Sequence, residues 1–590
     1  MKRPLIILTL IFLAVYILPL NLRPLVDPDE TRYSEIPREM NVTGDYVVPR
    51  LNGVLYFEKP VLGYWLSALS MKVFGETNFA GRFPQALAVG FSALFIFFVT
   101  TRFGGGPQTG TIAALIYMSC LEVFAVGVFN TLDSLLSFFL TACLASFFLA
   151  WDRRERKKEY YAFLVLSGLF CGLACHTKGF LAFAVPVLVI VPFVIWEGHW
   201  KEMFKIPWIP VIVATLVMLP WGILIHLREP SFWNYFFWHE HVERFFSGAN
   251  QHKEPFYFFI PVLAGGLFPH IVLVPAAISG LIIKGFDTSF KRYLFCWFLF
   301  PFAFFSASSG KIETYILPCF PPLAMLLAIG LLAAVVKDKK DTKESGKQHM
   351  KEPRKKRRKE LRETLRETQK KELRQTLRKE KVFTNGIRLL MAFPVLAAIA
   401  IIGLQNGVSH KMAYLYADSY KIVLALVSMV CFGALLFGSL KAKKPYNKIM
   451  FFALSPLLFY ASAHVLTPDK ALLRNSPNIF IDENLSLFDK DTIVVSPSTP
   501  IKAVCWSLKR NDIFLLDEGG ELSYGFGQNN MRHRQLTFEA FEKMVTDNKD
   551  SKKIVLILDE RRFKRFKDKL PEPVDMKSNG KDGFLMAIYQ

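Results

Sequence analysis

The chain has 590 residues, of which 52% are hydrophobic and 14% aromatic, and its formal net charge is +22. Stretches of roughly 17–22 residues with almost no charge recur along it, the length needed to cross a hydrocarbon core, which excludes a soluble globular protein. The charge does not indicate nucleic-acid binding, because 20 Lys and Arg against 9 Asp and Glu lie in the single segment 337–381. The 8 Cys form neither a disulfide framework nor a metal-ligand spacing.

About thirteen transmembrane helices are predicted, since a spanning backbone must satisfy its own hydrogen bonds. The first follows Lys2 and Arg3, and no small-residue cleavage site comes after it, which favours an uncleaved helix over a signal peptide. The expected spans are 4–21, 82–101, 110–129, 132–151, 160–176, 179–197, 207–227, 255–282, 292–308, 315–336, 387–404, 420–440 and 448–466.

The orientation of the spans follows from Lys and Arg. Basic groups precede the first span and follow the fourth, eighth, tenth and twelfth, so that all five fall on one side. By the positive-inside rule that side is the cytoplasm. An odd number of spans then puts the C-terminus outside, in the periplasm of a Gram-negative cell.

The first of three loops predicted on the outer side, about 21–82, is unusually acidic. It contains the run DPDETRY at 27–33 and the run YFEKP at 56–60. Ionisable groups at membrane depth are functional candidates by default, and aromatic residues here should dip into the interface. The alternative is a solvated loop that happens to be acidic.

The other two loops, about 228–255 and 306–315, carry fewer candidates. His239 and His241 flank Glu240, and two rings spaced i, i+2 cannot share one helix face, so at most one of them binds a given ion. The alternative is an interfacial His bonded to headgroups. Lys311 begins a helix on the outer side, where a phosphate group would be stabilised, although the full phosphate-loop motif is absent.

Two single residues map to the same outer side. Asp133 begins the fourth span and Lys178 lies at the turn after the fifth. Each alone would be read as a helix cap or a snorkelling charge. Their coincidence with the acidic loop favours function.

Two segments lie apart from the spans. Residues 337–381 contain a short repeat of charged residues and Leu, which we interpret as a cytoplasmic insertion in preference to a helix on anionic headgroups. From about 467 onward, runs with β-branched residues at 491–496, 512–516 and 553–558, with a helical stretch at 538–546, predict a soluble α/β domain over 467–590.

Taken together, the motifs resemble a known family. The chain is similar to the bacterial lipid A aminoarabinose transferases, membrane glycosyltransferases of the GT-C type related to protein O-mannosyltransferases. The motifs that carry the resemblance are PDETRY at 28–33, YFEKP at 56–60, TKGF at 177–180, FFWHEH at 236–241, TYIL at 314–317 and WSLKRND at 506–512. The basic insertion, Glu313 and Asn511 depart from the family pattern.

The resemblance implies the fold and the reaction. The fold would be an all-α polytopic GT-C domain over 1–466, with the α/β domain of 467–590 in the periplasm. The donor would be undecaprenyl phosphate carrying 4-amino-4-deoxy-L-arabinose or a related sugar, and the acceptor a phosphate of lipid A in the bacterial inner membrane. Such lipopolysaccharide modification gives polymyxin resistance. Membrane lipids would be partners, but neither a nucleic acid nor a nucleotide cofactor is expected.

The resemblance also assigns roles to single residues. Asp29, Glu30 and Asp133 would be catalytic. A divalent metal ion, zinc or similar, would be held by Glu58 and His241. The residues expected to bind substrate are Arg32, Tyr33, Tyr56, Lys59, Lys178, Lys311 and Tyr315.

Two other functions stay open. The first is a protein O-mannosyltransferase-like enzyme, whose hydroxyl acceptor needs a general base. The second is a transporter or flippase for lipid-linked sugars. It would place ionisable residues in the middle of spans and show repeat symmetry between halves, and neither feature is clear in the sequence.

Overall fold

The computed structural model describes residues 2–243, 253–335, 380–406, 415–528, 530–549, 551–580 and 583–590. The side chains of 239–243 are outside this description. The basic insertion predicted at 337–381 also lies outside the described residues, apart from its last two positions.

Up to residue 466, most of the residues that the structure describes are helical. Burial of apolar side chains from many helices against one another forms one extended hydrophobic core. Its α-helices are Lys2–Phe12, Asp29–Thr43, Leu62–Phe74, Asn78–Phe103, Pro107–Ser119, Leu121–Gly127, Asp133–Asp152, Lys157–Lys178, Leu181–Trp196, Trp208–Arg228, Ser231–Trp233, Phe259–Gly266, Val274–Lys284, Ser289–Ala307, Phe320–Val335, Ala392–Gln405, Ser419–Lys441, Pro445–Leu454 and Leu457–Ser462.

The protein is a multi-pass membrane protein, as predicted. In the described ranges, eight helices are long and apolar enough to span a membrane, or ten if each of two bent pairs counts as one span. The predicted count of thirteen is not confirmed. The predicted span 255–282 is bent by 95° between two helices, and the predicted span 448–466 is divided into Pro445–Leu454 and Leu457–Ser462.

The first predicted outer loop is folded. Helix Asp29–Thr43 is followed by a two-stranded hairpin, β1 (Arg50–Leu51) and β2 (Val54–Leu55). The backbone N–H of Gly53 at the hairpin tip donates to the buried carboxylate of Glu39 at 3.0 Å, which ties the hairpin to the helix. Gly53 has φ +72°, and a Cβ there would come within 2.9 Å of the Asn511 carbonyl oxygen, so glycine suits this close approach.

The C-terminal part of the chain forms the α/β domain that the sequence predicts. Its strands are β3 (Ile493–Ser496), β4 (Phe514–Leu516), β5 (Gln535–Leu536), β6 (Ile554–Asp559), β7 (Asp575–Ser578) and β8 (Phe584–Tyr589). They form one sheet in the order β5-β4-β3-β6-β8-β7, in which β8 runs antiparallel to β6 and β7 and the other neighbours are parallel. Its α-helices are Asp469–Asn475, Pro477–Glu483, Ile501–Leu508, Ser523–Phe526, Phe538–Asp547 and Glu560–Phe566.

Three of these strands match the runs recognised in the sequence, and helix Phe538–Asp547 matches the helical stretch. Strands β5, β7 and β8 were not predicted. The buried strand β8 is an unbroken apolar run, a pattern typical of central strands that the sequence analysis overlooked.

The C-terminal domain packs directly on the first outer loop. A second hydrophobic core joins Ile36 and Tyr56 from the loop with Ile513 and Phe526 from the domain. The Asn52 amide donates to the Ile513 carbonyl at 2.8 Å and accepts the Ile513 N–H at 3.0 Å. The loop and the domain therefore form one surface, so that residues from both can contribute to one site.

Candidate active site

The site begins at the N-terminus of helix Asp29–Thr43. Acidic residues are stabilised in a first helical turn by the helix dipole, and Asp29 and Glu30 occupy it. One turn later, Arg32 forms an ion pair with the Asp29 carboxylate. The Asp29 side chain is 45% exposed, whereas that of Arg32 is almost fully buried. Asp29 is thus fixed on one side and open on the other.

Arg32 is the centre of a cluster that gathers several predicted residues. Its guanidinium donates to the Tyr56 hydroxyl at 3.2 Å and lies over the Tyr33 ring, 4.8 Å from the ring centroid. The Glu58 carboxylate is 4.0 Å away, at the limit of an ion pair. The structure therefore brings Asp29, Arg32, Tyr33, Tyr56 and Glu58 together, as expected from their loop.

A second cluster joins the ends of two membrane helices. Lys178, the last residue of Lys157–Lys178, lies 2.5 Å from the carboxylate of Asp133, the first residue of Asp133–Asp152. The Lys178 ammonium is 5.4 Å from the centroid of the Tyr315 ring. These three residues were predicted separately, and the structure brings them into contact.

The two clusters are electrostatic neighbours. Burial raises the pKa of Tyr33 above its usual range; Arg32 opposes this rise, and Asp29, Glu58 and Asp133 add to it. Asp133 thus acts on the ring against which Arg32 packs. Arg32 and Lys178 are largely buried cations, and of the carboxylates near them Asp29 is half-exposed whereas Glu58 and Asp133 are largely buried.

Glu30 has a different environment from its neighbour Asp29. Its carboxylate accepts from Arg82 at 2.6 and 2.7 Å and lies 2.9 Å from Arg23, and the backbone N–H groups of Val26 and Asn130 also donate to it. Burial would raise its pKa, but Arg82 and Arg23 hold it at about 2. The predicted catalytic role is untested, and these saturated contacts favour a structural role instead.

Two further lysines predicted to bind substrate contact backbone carbonyl groups. Lys311 donates to the carbonyl oxygens of Glu254 and Ser308, at 2.7 and 2.5 Å, and so ties two outer loops together. Lys59 donates to the Glu58 carbonyl at 2.8 Å, beside the Arg32 cluster. Lys59 lies beside the Arg32 cluster and Lys311 joins two loops, and the substrate-binding role of each stays a prediction.

The predicted metal site is only half visible. His241 lies in the π-helix Asn234–Glu243, and its side chain is outside the described part of the chain. Within the described ranges, no group of three or more His, Cys, Asp or Glu is arranged to hold a metal ion. The long contact of Glu58 with Arg32 leaves its carboxylate chemically suited to a second cation. The Glu58–His241 metal site stays a prediction.

Two residues of the C-terminal domain belong to the cluster and were missed. Glu521 lies 2.6 Å from Arg32 and 2.7 Å from Lys502. Glu521 and Lys502 are too far from Arg32 in the sequence for a local pattern to connect them. Neither residue falls in a motif that carries the resemblance. Only the docking of the domain reveals them.

Two protein families match separate parts of the chain. Residues 2–236 match the family described as dolichyl-phosphate-mannose-protein mannosyltransferase. Residues 473–586 match the family described as the C-terminal domain of the arabinosyl transferase ArnT. The first match contains both polar clusters except for Tyr315, Lys502 and Glu521.

Solved structures have the same fold. ArnT from Cupriavidus metallidurans, in a crystal structure with undecaprenyl phosphate bound, superposes with a TM-score of 0.75 at 19% identity, over 99% of this chain and 97% of that one. The apo form of the same protein gives a TM-score of 0.76 at 17% identity, with 100% and 98% covered. At this identity the likeness establishes the GT-C fold.

Curated relatives match over nearly the full length. The undecaprenyl phosphate-alpha-4-amino-4-deoxy-L-arabinose arabinosyl transferase of Yersinia enterocolitica is 35% identical, over 96% of this chain and 95% of the relative. The protein of the same name from Shewanella sediminis is 34% identical, over 99% and 97%. The chain therefore belongs to the undecaprenyl phosphate-aminoarabinose arabinosyl transferase family of membrane glycosyltransferases.

Proposed function

We propose that this glycosyltransferase moves 4-amino-4-deoxy-L-arabinose from undecaprenyl phosphate to a phosphate group of lipid A. The observation that carries the proposal is the half-exposed Asp29 carboxylate beside the buried Arg32, in a chain whose full-length relatives are named for this donor. Cleavage of a sugar–phosphate bond requires a carboxylate near the sugar and a cation near the phosphate.

The cations suit the leaving group. When the sugar departs, the polyprenyl phosphate gains negative charge, and preorganised positive groups in a poorly hydrated site stabilise that charge. Arg32, Lys59 and Lys178 supply such groups within the two clusters. Each is held by a partner, so little reorganisation is required during the reaction.

Asp29 suits the other end of the bond. The anomeric carbon becomes positively charged in the transition state, and a nearby carboxylate stabilises it. A phosphate acceptor is already largely ionised near neutral pH, since its second pKa is about 6. Asp29 therefore acts on the sugar and positions the acceptor, and it is not required to remove a proton.

The site faces the periplasm in this proposal. The argument is the positive-inside rule, which assigns the Lys- and Arg-rich loops to the cytoplasm of the inner membrane. The loop that holds Asp29, the ends of the helices that hold Asp133 and Lys178, and the C-terminal domain then share the opposite side. Lipid A would arrive there from within the membrane.

A metal ion at Glu58 and His241 remains part of the proposal. Carboxylate and neutral imidazole are ligands that zinc accepts, and a cation there would add to the positive charge at the leaving phosphate. Crystals soaked with zinc should show anomalous density between these two residues. Absence of that density, together with transfer that survives chelation, would remove the metal from the account.

The second candidate is a mannosyltransferase with a hydroxyl acceptor, favoured by the family match over residues 2–236. That reaction needs a general base for the hydroxyl proton. The Asp29 carboxylate is engaged by the Arg32 guanidinium in an ion pair. The match of the C-terminal domain to arabinosyl transferases also favours the first candidate.

Mass spectrometry of lipid A tests the proposal. Cells with the gene should carry lipid A with an added aminopentose on phosphate, and cells without it should not. Unmodified lipid A in both strains, with the protein present in the membrane, would reject this acceptor. A new glycan on a protein would favour the second candidate.

A further inference from the structure

The C-terminal domain places a carboxylate between two cations of the site. A single oxygen of Glu521, Oε2, accepts from Arg32 at 2.6 Å and from Lys502 at 2.7 Å. Arg32 belongs to the first outer loop and Lys502 to helix Ile501–Leu508 of the C-terminal domain. The two cations therefore converge on one point from two separate parts of the molecule.

The two cations are more deeply buried than the acid between them. Arg32 and Lys502 are 7% and 4% exposed, and each lies on a helix. The Glu521 side chain is 37% exposed and belongs to the short 3-10 turn Gly520–Leu522. Leu522 anchors that turn in the core, and the partly exposed Glu521 side chain borders solvent.

The point at which the cations converge requires an anion. Burial would raise the pKa of Glu521, but Arg32 and Lys502 hold it at about 2, so the group is ionised at physiological pH. Glu521 is the acid that Lys502 contacts within the described part of the chain. If Glu521 turned away with no replacement, two buried cations would lose a counter-ion, which is costly in a low-dielectric environment.

A phosphate group fits this requirement. Arginine binds phosphate through two parallel N–H donors, and lysine binds it as a point charge. The guanidinium of Arg32 also holds Asp29, so a phosphate at this point would lie beside the carboxylate assigned to the sugar.

We propose that Arg32 and Lys502 form a phosphate-binding site between the first outer loop and the C-terminal domain, and that Glu521 fills it until a substrate phosphate displaces it. The phosphate is either the monoester of the lipid acceptor or the phosphodiester of the donor. This inference rests on the proposed function for the identity of the substrate, but not for the existence of the anion site.

The competing interpretation is that Glu521 is a permanent structural residue, which only orients Arg32. The two interpretations predict opposite changes in phosphate affinity when the Glu521 carboxylate is removed. A displaceable anion competes with phosphate, so removing it should tighten phosphate binding. A structural Glu521 holds Arg32 in position, so removing it should weaken phosphate binding and slow turnover.

Inorganic phosphate is the first probe, because it requires no turnover. We expect Glu521→Gln, in purified full-length protein, to bind phosphate about tenfold more tightly than the parent, which corresponds to one charge-assisted hydrogen bond regained. Binding is read from the rise in thermal unfolding temperature with phosphate concentration. Lys502→Gln should bind about tenfold more weakly, and it keeps the test valid if Glu521→Gln fails to fold.

Glu518→Gln is the matched control. It lies three residues away on the same loop, is exposed, and removes the same charge. It should bind phosphate as the parent does. Equal affinity in Glu521→Gln and Glu518→Gln, or weaker binding in Glu521→Gln, would overturn the proposal, as would unchanged affinity in Lys502→Gln.

Steady-state kinetics then identify the source of the phosphate. For Lys502→Gln we expect KM to rise about tenfold for one substrate only, the acceptor or the donor. A fall in kcat with both KM values unchanged would overturn the site. If the parent itself transfers no sugar to lipid A while the phosphate titrations behave as expected, the proposed function fails and the anion site stands.

Discussion

Asp29 and Glu30 are adjacent acids in the same helical turn, yet their surroundings differ completely. Glu30 is fully buried, and two arginines and two backbone N–H groups occupy its carboxylate. Asp29 has one ion pair and a side chain that is 45% exposed. A saturated carboxylate holds a fold together, whereas one with a free side can meet a substrate. We therefore expect Glu30 to stabilise the fold and Asp29 to contact the substrate.

The largest expected effect on activity comes from Asp29→Asn. Loss of the carboxylate charge beside the sugar should lower transfer by about 10²–10³-fold, the range for a group that stabilises charge in the transition state. Stability should change little, since the Asp29 side chain is half-exposed and Arg32 keeps its contacts with Glu521 and Tyr56. Transfer assays in isolated membranes measure the first effect, and near-normal transfer by a well-expressed variant would remove Asp29 from the mechanism.

The largest expected effect on stability comes from Glu30→Gln. The change leaves Arg82, which is fully buried, and Arg23 without their counter-ion, at a cost of about 3–5 kcal/mol. A lower thermal unfolding temperature in detergent and less protein in the membrane should follow. An unchanged unfolding temperature would mean that Glu30 does not stabilise the loop.

A smaller effect is expected from Asp133→Asn. Asp133 holds Lys178, and losing one charge-assisted contact should lower transfer roughly tenfold. If the two residues act as one unit, the double variant with Lys178→Gln should be no slower than the slower single variant. Strictly additive losses would show that the residues act independently.

The smallest expected effect is on the pH dependence of stability, and it comes from Asp27, which precedes Asp29 and Glu30 in the sequence. Burial raises its pKa to about 7, although a hydrogen bond from Thr31 opposes the rise. The folded protein therefore binds this proton more tightly than the unfolded chain, so its contribution to stability falls as pH rises toward and through 7. Between about pH 5 and 8, the unfolding temperature of Asp27→Asn should depend less on pH than that of the parent. Equal slopes would contradict this assignment.

The sequence could predict what local patterns encode. Hydropathy predicted a multi-pass membrane protein, although the count of thirteen spans is not confirmed, and β-branched runs predicted three strands of the sheet. The acidic loop predicted Asp29, Arg32 and Tyr56 as a group, because they lie within one short folded segment. Asp133 and Lys178 were predicted on the same side, and the structure brings them into contact.

What the sequence could not supply was the choice of distant partners. Glu30 looked as functional as Asp29, because its saturation by Arg82 depends on how a membrane helix packs behind the loop. The two carbonyl groups that Lys311 contacts, on Glu254 and Ser308, could not be predicted from its position at a helix start. Glu521 contacts Arg32, and brings Lys502 with it, only because the C-terminal domain docks on the hairpin at Asn52. Tertiary contacts of this kind leave no periodic signal.

The most direct test measures Asp29→Asn and Glu30→Gln side by side in reconstituted liposomes. Two quantities are needed for each variant: the thermal unfolding temperature, and the rate of sugar transfer to lipid A per folded molecule. We expect opposite changes in these two quantities for the two variants. Asp29→Asn should keep its unfolding temperature and lose the rate, and Glu30→Gln should lose unfolding temperature and keep most of the rate per folded molecule. Loss of the rate per folded molecule in Glu30→Gln, with Asp29→Asn active, would contradict this expectation.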